Sequence, residues 1–462
     1  MFFRQYELGC LSLFSYMIGD ESTGRAVVVD PQRDISGYLA DAEAQGLSIE
    51  RVIETHFHAD FLSGHLEMAA ATGAVVSYGE AAKTEFAMEP LADGQRLSLG
   101  EVALEVRATP GHTPESISVV VSERDGDEPW GVLTGDTLFI GDVGRPDLLS
   151  AAGSSADDLA RSLYRSLHER LLTLPDGVRV FPAHGAGSAC GKNLSTATQS
   201  TIGEQRLTNY ALQPMAEDDF VAAVTTGQSV APPYFGFAAQ ANRSDHGLLV
   251  DDQEAPPVLG VDEVERWLAD GAVLLDGRPA NEFASGHLRG AVNVGMEGRF
   301  AEYAGDIARP DQPIVLVTEP GREAEARVRL ARIGFDRVVG AVGDVQRVLA
   351  EHPELAVPAL RISAGDFAGW DSTDGPVQLV DVRNPGEQEG GIIPGARRIP
   401  LAALLGRIAE LDPEVTTVVY CAGGYRSAIA ASALAAHGFP LVADMLGGYD
   451  AWKTAGLPTA SP

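Results

Sequence analysis

The C-terminal half of the chain repeats itself. Leu274-Leu275-Asp276-Gly277-Arg278-Pro279-Ala280-Asn281-Glu282 matches Leu379-Val380-Asp381-Val382-Arg383-Asn384-Pro385-Gly386-Glu387 at an offset of 105 residues, and Gly290-Ala291 matches Gly395-Ala396 at the same offset. Further on, Ile314-Val315-Leu316-Val317 lines up with Val418-Val419-Tyr420-Cys421, and Arg322 with Arg426, at an offset of 104. Two tandem copies are the organising fact of this half. Each copy runs strand, loop, helix, strand, glycine-bearing loop, helix, which predicts α/β domains with a parallel sheet and helices on both faces. At roughly 150 residues per domain the 462 residues allow about three domains, so one further domain precedes the repeat. A polar, proline-bearing stretch between Gly247 and Gly260 reads as an exposed linker. The expected division is 1–245, a linker at 246–260, a first copy at 261–356 and a second at 357–462.

Composition narrows the partners. Lys and Arg count 34 against 65 for Asp and Glu, a net charge of -31 that repels nucleic-acid phosphates and anionic lipid headgroups. The three cysteines, Cys10, Cys190 and Cys421, form no disulfide framework and no Cys-x-x-Cys zinc pair. Arg4 and Glu7 interrupt any signal-peptide apolar region, and no run of about 18 apolar residues occurs. A cytoplasmic protein without a membrane span, and a homo-oligomer, are therefore expected.

Before the linker, apolar residues Leu11–Ile18, a turn at Gly19–Gly24 and Ala26–Asp30 predict a hairpin. Thr55-His56-Phe57-His58-Ala59-Asp60-Phe61 follows the apolar pair Val52-Ile53 and is expected in the loop after a strand. Alternate residues of an extended segment point the same way, so His56, His58 and Asp60 aim at one place. His112 in Pro110-Gly111-His112, Asp136 in Gly135-Asp136 and His184 in Pro182-Ala183-His184-Gly185 each sit beside turn residues. Together they read as a metal-ligand set.

Residues 1 to about 245 thus resemble the metallo-β-lactamase superfamily, whose αββα sandwich carries its metal on loops at one end of two sheets. One departure matters: dinuclear hydrolases of the superfamily have His directly after the motif's Asp, and here Phe61 stands there. A second metal position would keep only Asp60, His184 and a shared Asp136, which disfavours chemistry that clamps hydroxide between two ions. What remains is one metal. Whether His58 ligates is left open by the residues; without it, His56, His112 and Asp136 form a two-His-one-carboxylate face suited to iron(II). Resemblance to the persulfide dioxygenases implies one Fe(2+) per chain on those three, with His58, Asp60 and His184 supporting them by hydrogen bonds. Gly141-Asp142-Val143-Gly144-Arg145-Pro146-Asp147 resembles a loop of the same enzymes, where Arg145 either binds an anionic substrate or pairs with Asp147. His65 and Glu67 are expected to face solvent or to back the ligands. Cys190, six residues past His184, is expected either at the pocket mouth near substrate, with Lys192 lowering its pKa, or as a buried small hydrophobe. Pro232-Pro233-Tyr234-Phe235-Gly236-Phe237 is expected mainly in core packing.

In the last copy, Val418-Val419-Tyr420-Cys421-Ala422-Gly423-Gly424-Tyr425-Arg426-Ser427 predicts a strand ending in Cys, a short loop, and Arg at a helix start. Backbone amides of Ala422, Gly423, Gly424 and Tyr425 would then cradle the sulfur, depress its pKa and make it a nucleophile that carries a persulfide, while Arg426 neutralises incoming sulfite or thiosulfate. With Asp381-Val382-Arg383, Gly395-Ala396-Arg397-Arg398-Ile399-Pro400 and Leu446-Gly447-Gly448-Tyr449-Asp450-Ala451-Trp452, this unit resembles a rhodanese domain. The earlier copy has Val317 where the thiol should be and resembles an inactive rhodanese, a spacer or docking element, with His287 structural. The order resembles fusion proteins of bacterial sulfide detoxification. It implies oxidation of a thiol persulfide by O2 to sulfite, with Cys421 forming thiosulfate or running in reverse. Two other readings stand beside it: a glyoxalase-II-like thioester hydrolase with attached sulfurtransferase, and a sulfur relay in which Cys421 alone works.

Overall fold

The computed structural model of the protein describes residues 1–148, 155–249, 254–370 and 375–462. Residues 250–253, within the expected linker, lie outside the described residues. The chain divides into two compact units, Met1–Gln228 with Phe235–Asp252, and Ser229–Tyr234 with Gln253–Pro462.

In the first unit, six strands pair in chain order: Phe2–Leu8, Leu13–Asp20, Arg25–Val29, Ser48–Ile53, Val75–Gly79 and Glu89–Leu91. A second sheet pairs Arg96–Ser98, Ala103–Ala108, Ile117–Ser122, Gly131–Gly135, Arg179–Pro182 and Ser200–Thr201, again in chain order. The expected hairpin is present, with Tyr16 opposite Val29 and Ile18 opposite Val27. Strand alternation sorts the apolar residues into layers. Tyr16, Ile18, Val27, Val29 and Ile53 turn inward against Leu104, Val106, Val119, Val121 and Leu133 of the other sheet. Met17, Ala26, Val28 and Val52 turn outward under Tyr38 and Ala42 of the helix Ser36–Gln45. Val120, Val132 and Val180 pack outward against Ala160, Leu163, Leu167 and Phe220 from helical segments. The result is an αββα sandwich, and each of its fully buried Val, Leu, Ile, Phe or Met side chains stabilises it by about 1.5–3 kcal/mol.

The second unit holds two five-stranded parallel sheets of identical order. The first reads Val258–Leu259, Val338–Val342, Ile314–Val317, Val273–Asp276, Ala291–Asn293; the second reads Leu360–Ile362, Val442–Met445, Thr416–Tyr420, Val377–Asp381, Arg397–Arg398. The repeated Asp-x-Arg motif explains itself here. Arg278 forks onto Asp276 at 2.5 Å and Arg383 onto Asp381 at 2.7 Å, both pairs buried, tying each central region to the loop that follows it. Ile314–Val317 and Thr416–Tyr420 occupy the same central place, but Val317 pairs with Asp276 as Tyr420 pairs with Asp381, so the register corrects the expected equivalence by one residue: Thr318, not Val317, stands where the other copy presents Cys421, and the thiol is absent all the same.

Candidate functional site

Every residue of the expected metal set lies just past a strand end at one edge of the sandwich. Thr55–Asp60 follow Ser48–Ile53, His112 follows Ala103–Ala108, Asp136 follows Gly131–Gly135, and His184 follows Arg179–Pro182. Asp30 shapes the first loop by accepting the Thr55 amide at 2.7 Å and the Thr55 hydroxyl at 2.8 Å. Asn242 closes it by donating to the carbonyls of His58 and Phe61, both at 2.8 Å.

His56, His112 and Asp136 converge, each offering one atom within 4.8 Å of the others, and all three are buried. His112 Nε2 stands 3.4 Å and His56 Nε2 3.7 Å from Asp136 Oδ2, while His184 Nε2 stands 3.4 Å from Asp136 Oδ1. Hydrogen bonds behind the rings fix their tautomers. His112 Nδ1–H donates to the Arg145 carbonyl at 2.8 Å and His184 Nδ1–H to the Ser12 carbonyl at 3.1 Å, because a carbonyl only accepts. The Thr55 hydroxyl, donating to Asp30, accepts His56 Nδ1–H at 3.0 Å. All three Nε2 lone pairs therefore face inward. Burial, then the neighbouring His58, His112 and His184, hold the His56 pKa well below its ordinary value, so the ring is neutral and able to ligate. His56 Nε2, His184 Nε2 and both Asp136 oxygens are buried with no hydrogen-bond partner. Buried polar atoms are rarely left so, and a divalent cation fits this donor set.

His58 turns the other way. Its Nε2 lies 3.1 Å from Asp30 and 3.6 Å from Glu54. Burial alone would lower its pKa, but Asp30, Glu54 and Asp60 together raise it to about 9, the state of an ion-paired imidazolium. Asp60 lies 3.4 Å from His184, its carboxyl pushed up by burial against the lowering pull of His184 and His58. His58, Asp60 and His184 also come within 4.8 Å of one another. Phe61 is fully buried, its ring 4.3 Å from that of His58.

Several expectations change on contact with the structure. Cys190 is buried within 4.8 Å of Asp136 and His184, inside the pocket wall rather than at its mouth. Lys192 does not lower its pKa: Nζ donates to the carbonyls of Ala223 and Thr226 at 2.5 and 2.8 Å, while burial, then Asp60 and Asp136, push the thiol well up. Arg145 makes the bidentate pair with Asp147, both contacts at 2.7 Å, and serves the site through its carbonyl on His112. His65 and Glu67 do not face solvent. Glu67 accepts from Arg33 at 2.8 Å and His65 lies 3.6 Å from Glu54, all fully buried. Tyr234 and Phe235 are buried as expected of core residues, whereas Phe237 is exposed. Asp30, Arg33, Glu54, Glu115 and Asn242 were not singled out from the sequence. The signal available was only a carboxylate directly at a strand end, as at Asp30 and Glu54.

In the last copy, Cys421 follows the central strand and is buried. Gly424 N–H donates to its sulfur at 3.1 Å from a backbone with φ +107, a conformation that favours glycine, at the N-cap of the helix Tyr425–Ala436. The Ser427 hydroxyl lies 3.6 Å from the sulfur. From the other side, Tyr449 and Asp450 amides donate to the carbonyls of Cys421 and Ala422 at 2.7 and 3.0 Å. Gly448 allows this approach, since a Cβ there would sit 2.2 Å from the Cys421 oxygen. Gly423 is exposed at the loop tip. Arg426 is held bidentate by Glu387, both contacts at 2.6 Å, rather than standing free for an anion. Tyr425 points its side chain away from the loop, its hydroxyl donating to the Gly295 carbonyl of the first copy at 2.6 Å. His287 stacks on Phe283 at 3.7 Å and bonds its carbonyl, a structural role.

Comparison with known proteins agrees with this anatomy. Residues 8–184 match the metallo-beta-lactamase superfamily, and residues 260–350 and 364–455 each match the rhodanese-like domain. Persulfide dioxygenase ETHE1, mitochondrial, of Homo sapiens is 30% identical over 233 residues, covering 50% of this chain and 82% of that protein. Hydroxyacylglutathione hydrolase cytoplasmic of Arabidopsis thaliana is 33% identical over 173 residues, 37% of this chain and 63% of that protein. A crystal structure of a metallo-beta-lactamase from Staphylococcus aureus subsp. aureus COL superposes with a TM-score of 0.67 at 31% identity, covering 74% of this chain and 98% of that one. The fold and the buried ligand set define a metal-binding enzyme of the metallo-β-lactamase superfamily. Within it, the chain belongs to the persulfide dioxygenase family, as a fusion with two rhodanese-like domains. Among the described residues no helix is long and apolar enough to cross a membrane.

Proposed function

We propose that residues 1–245 form a non-haem iron(II) persulfide dioxygenase and residues 357–462 a sulfurtransferase working on Cys421, joined through 261–356, which lacks the nucleophile. The overall oxidation is RSS⁻ + O2 + H2O → RSH + SO3²⁻ + H⁺. Cys421 thiolate attacks the outer sulfur of thiosulfate, forming the Cys421 persulfide as the thiosulfate S–S bond breaks and sulfite leaves with its electron pair; the reverse yields thiosulfate. Coupled, the two serve sulfide detoxification.

The observation that carries the reading is the buried face of His56, His112 and Asp136, where His56 Nε2 and both Asp136 oxygens lack hydrogen-bond partners while His58 is paired elsewhere. Bound there, iron(II) would supply open positions for a persulfide sulfur and for O2. The chain's own residues do the rest. Arg145 and Thr55 hold the two rings in their ligating tautomers. Asp60 and His184, 3.4 Å apart, are placed to hold and pass the proton that the water must lose. Buried Phe61 excludes water from the space beside Asp60. In the last copy, the Gly424 amide stabilises negative charge on sulfur, and Arg426 meets the incoming anion after leaving Glu387. No disulfide joins the three cysteines, which suits the cytoplasm we assign; a homo-oligomer is part of the proposal and is read by light scattering.

The test is metal analysis and O2 uptake on anaerobically purified protein, with glutathione persulfide as probe, for wild type, His112→Ala and Cys421→Ala. Iron near one per chain, uptake abolished in His112→Ala and retained in Cys421→Ala, is the expected result. The group of His58, Asp60 and His184 within 4.8 Å favours one second reading, a two-metal thioester hydrolase. Two zinc ions per chain, thioester cleavage and no O2 uptake would establish it instead.

A further inference from the structure

The loop that cradles Cys421 is not held by its own domain alone. Tyr425, one residue past the amide that reaches the sulfur, sends its side chain into the inactive copy. Its hydroxyl donates to the Gly295 carbonyl at 2.6 Å. Its ring lies over Gly298, where a Cβ would come within 2.5 Å of Cζ and 2.8 Å of Cε1 and Oη. Tyr303 meets the ring edge-on at 5.6 Å. Burial, then Tyr303, keep the phenol protonated, hence a donor. The helix that begins at Tyr425 is pinned a second time: the Asn293 amide donates to the Ser432 hydroxyl at 2.9 Å, and the Asn293 carboxamide is itself fixed on the carbonyls of Asp276 and Arg278.

We propose that Tyr425 is a positioning residue for sulfur transfer, and that the inactive copy, through Gly295 and Gly298, is a template that fixes the Cys421 loop. The reasoning is geometric. Gly424 N–H sits 3.1 Å from the sulfur and precedes Tyr425 directly, so a ring displaced from its seat moves the amide that stabilises the thiolate and the persulfide it becomes. Gly298 is not in the left-handed region, so alanine there is free in its backbone and reports the ring's space alone. The first copy, without a thiol of its own, thereby keeps a use for its fold, because the neighbouring active site is built against it. The inference rests on Cys421 being the sulfurtransferase nucleophile.

The experiment uses the full chain with thiosulfate as donor and cyanide as acceptor, comparing wild type, Cys421→Ala, Tyr425→Phe, Tyr425→Ala, Gly298→Ala and Gly298→Ala/Tyr425→Ala. Gly298→Ala and Tyr425→Ala are expected to lower kcat about tenfold or more with KM for thiosulfate within about twofold, since a misplaced group costs rate rather than binding. Tyr425→Phe, keeping ring and seat, is expected within about threefold of wild type. Adding Gly298→Ala to Tyr425→Ala is expected to cost nothing more, because the clash partner is gone. Wild-type kcat in Gly298→Ala, effects that multiply in the double variant, or a change in KM alone would overturn the proposal. Absence of transfer in wild type would instead sink the functional reading. The rate of Cys421 labelling by iodoacetamide across the variants that keep Cys421, with Cys421→Ala as the blank, then decides the template on its own: a slowed Gly298→Ala supports it, and equal rates refute it.

Discussion

The buried triad of Asp30, Glu54 and His58 makes the first unit's stability depend on pH in a way that can be worked out from its geometry. His58 Nε2 lies 3.1 Å from Asp30, and its pKa rises from the ordinary 6.5 to about 9. A histidine that binds its proton more tightly when folded stabilises the fold fully below about 6.5, and loses that contribution as pH rises through about 9. The shift corresponds to about 3 kcal/mol. Asp30→Asn keeps the shape, removes the charge, and turns an amide donor toward either the Thr55 hydroxyl or the imidazolium. At pH 6 it leaves a buried cation that has lost its nearest carboxylate and keeps Glu54 at 3.6 Å and the weaker pull of Asp60, and it is expected to cost about 3–5 kcal/mol. By pH 9.5, above its pKa of about 9, the imidazole is mostly neutral in both proteins and the difference shrinks toward the lost hydrogen bonds, about 1–2 kcal/mol. The assay is urea denaturation of chelator-stripped protein, read by hydrogen-exchange protection of first-unit peptides at the two pH values. Equal wild-type stability at pH 6 and 9.5, or the same pH slope in Asp30→Asn, would refute the argument.

Four further outcomes follow from particular contacts. His112→Ala removes one of the two imidazoles of the proposed His56–His112–Asp136 ligand face and is expected to lower metal content below about one-tenth per chain by mass spectrometry, while thiosulfate sulfurtransfer persists. Phe61→His, beside Asp60, is expected to raise metal content toward two per chain; unchanged stoichiometry would count against the missing-ligand argument. Arg383→Met leaves Asp381 buried and unpaired and is expected to destabilise the last copy by about 3–5 kcal/mol, more than Arg383→Met with Asp381→Leu; a larger loss in the double variant would refute this. Cys190, buried and with its thiol pushed well up, is expected to resist iodoacetamide in native protein and to label only in denaturant, as read from its peptide mass.

The parts legible in the sequence share a physical reason. His56, His112, Asp136 and His184 lie immediately past strand ends because strand ends at one edge are where a β sandwich presents rigid, closely spaced loops, and turn residues around such positions survive as a readable pattern. The repeat was legible because the Asp-x-Arg fork recurs for a structural cause, seen at Asp276–Arg278 and Asp381–Arg383. What escaped was the layer behind. Asp30, Arg33 and Asn242 act through partners distant in the chain, such as Arg33 on Glu67 and Asn242 on His58 and Phe61, and no spacing rule connects them. Charge sign alone misled at Lys192, whose ammonium found nearby carbonyls in place of the thiol two residues away. The seat of the Tyr425 ring was not legible either: sequence placed only its amide in the Cys421 loop, whereas a large ring at a helix start goes where space exists, and Gly298 of the other copy supplies that space. Short-range pattern therefore identifies which atoms do chemistry, whereas the residues that set their charge and position are fixed by tertiary packing, which is why the variants at Asp30 and Gly298 discriminate most sharply between a site that is merely present and one that is held in working geometry.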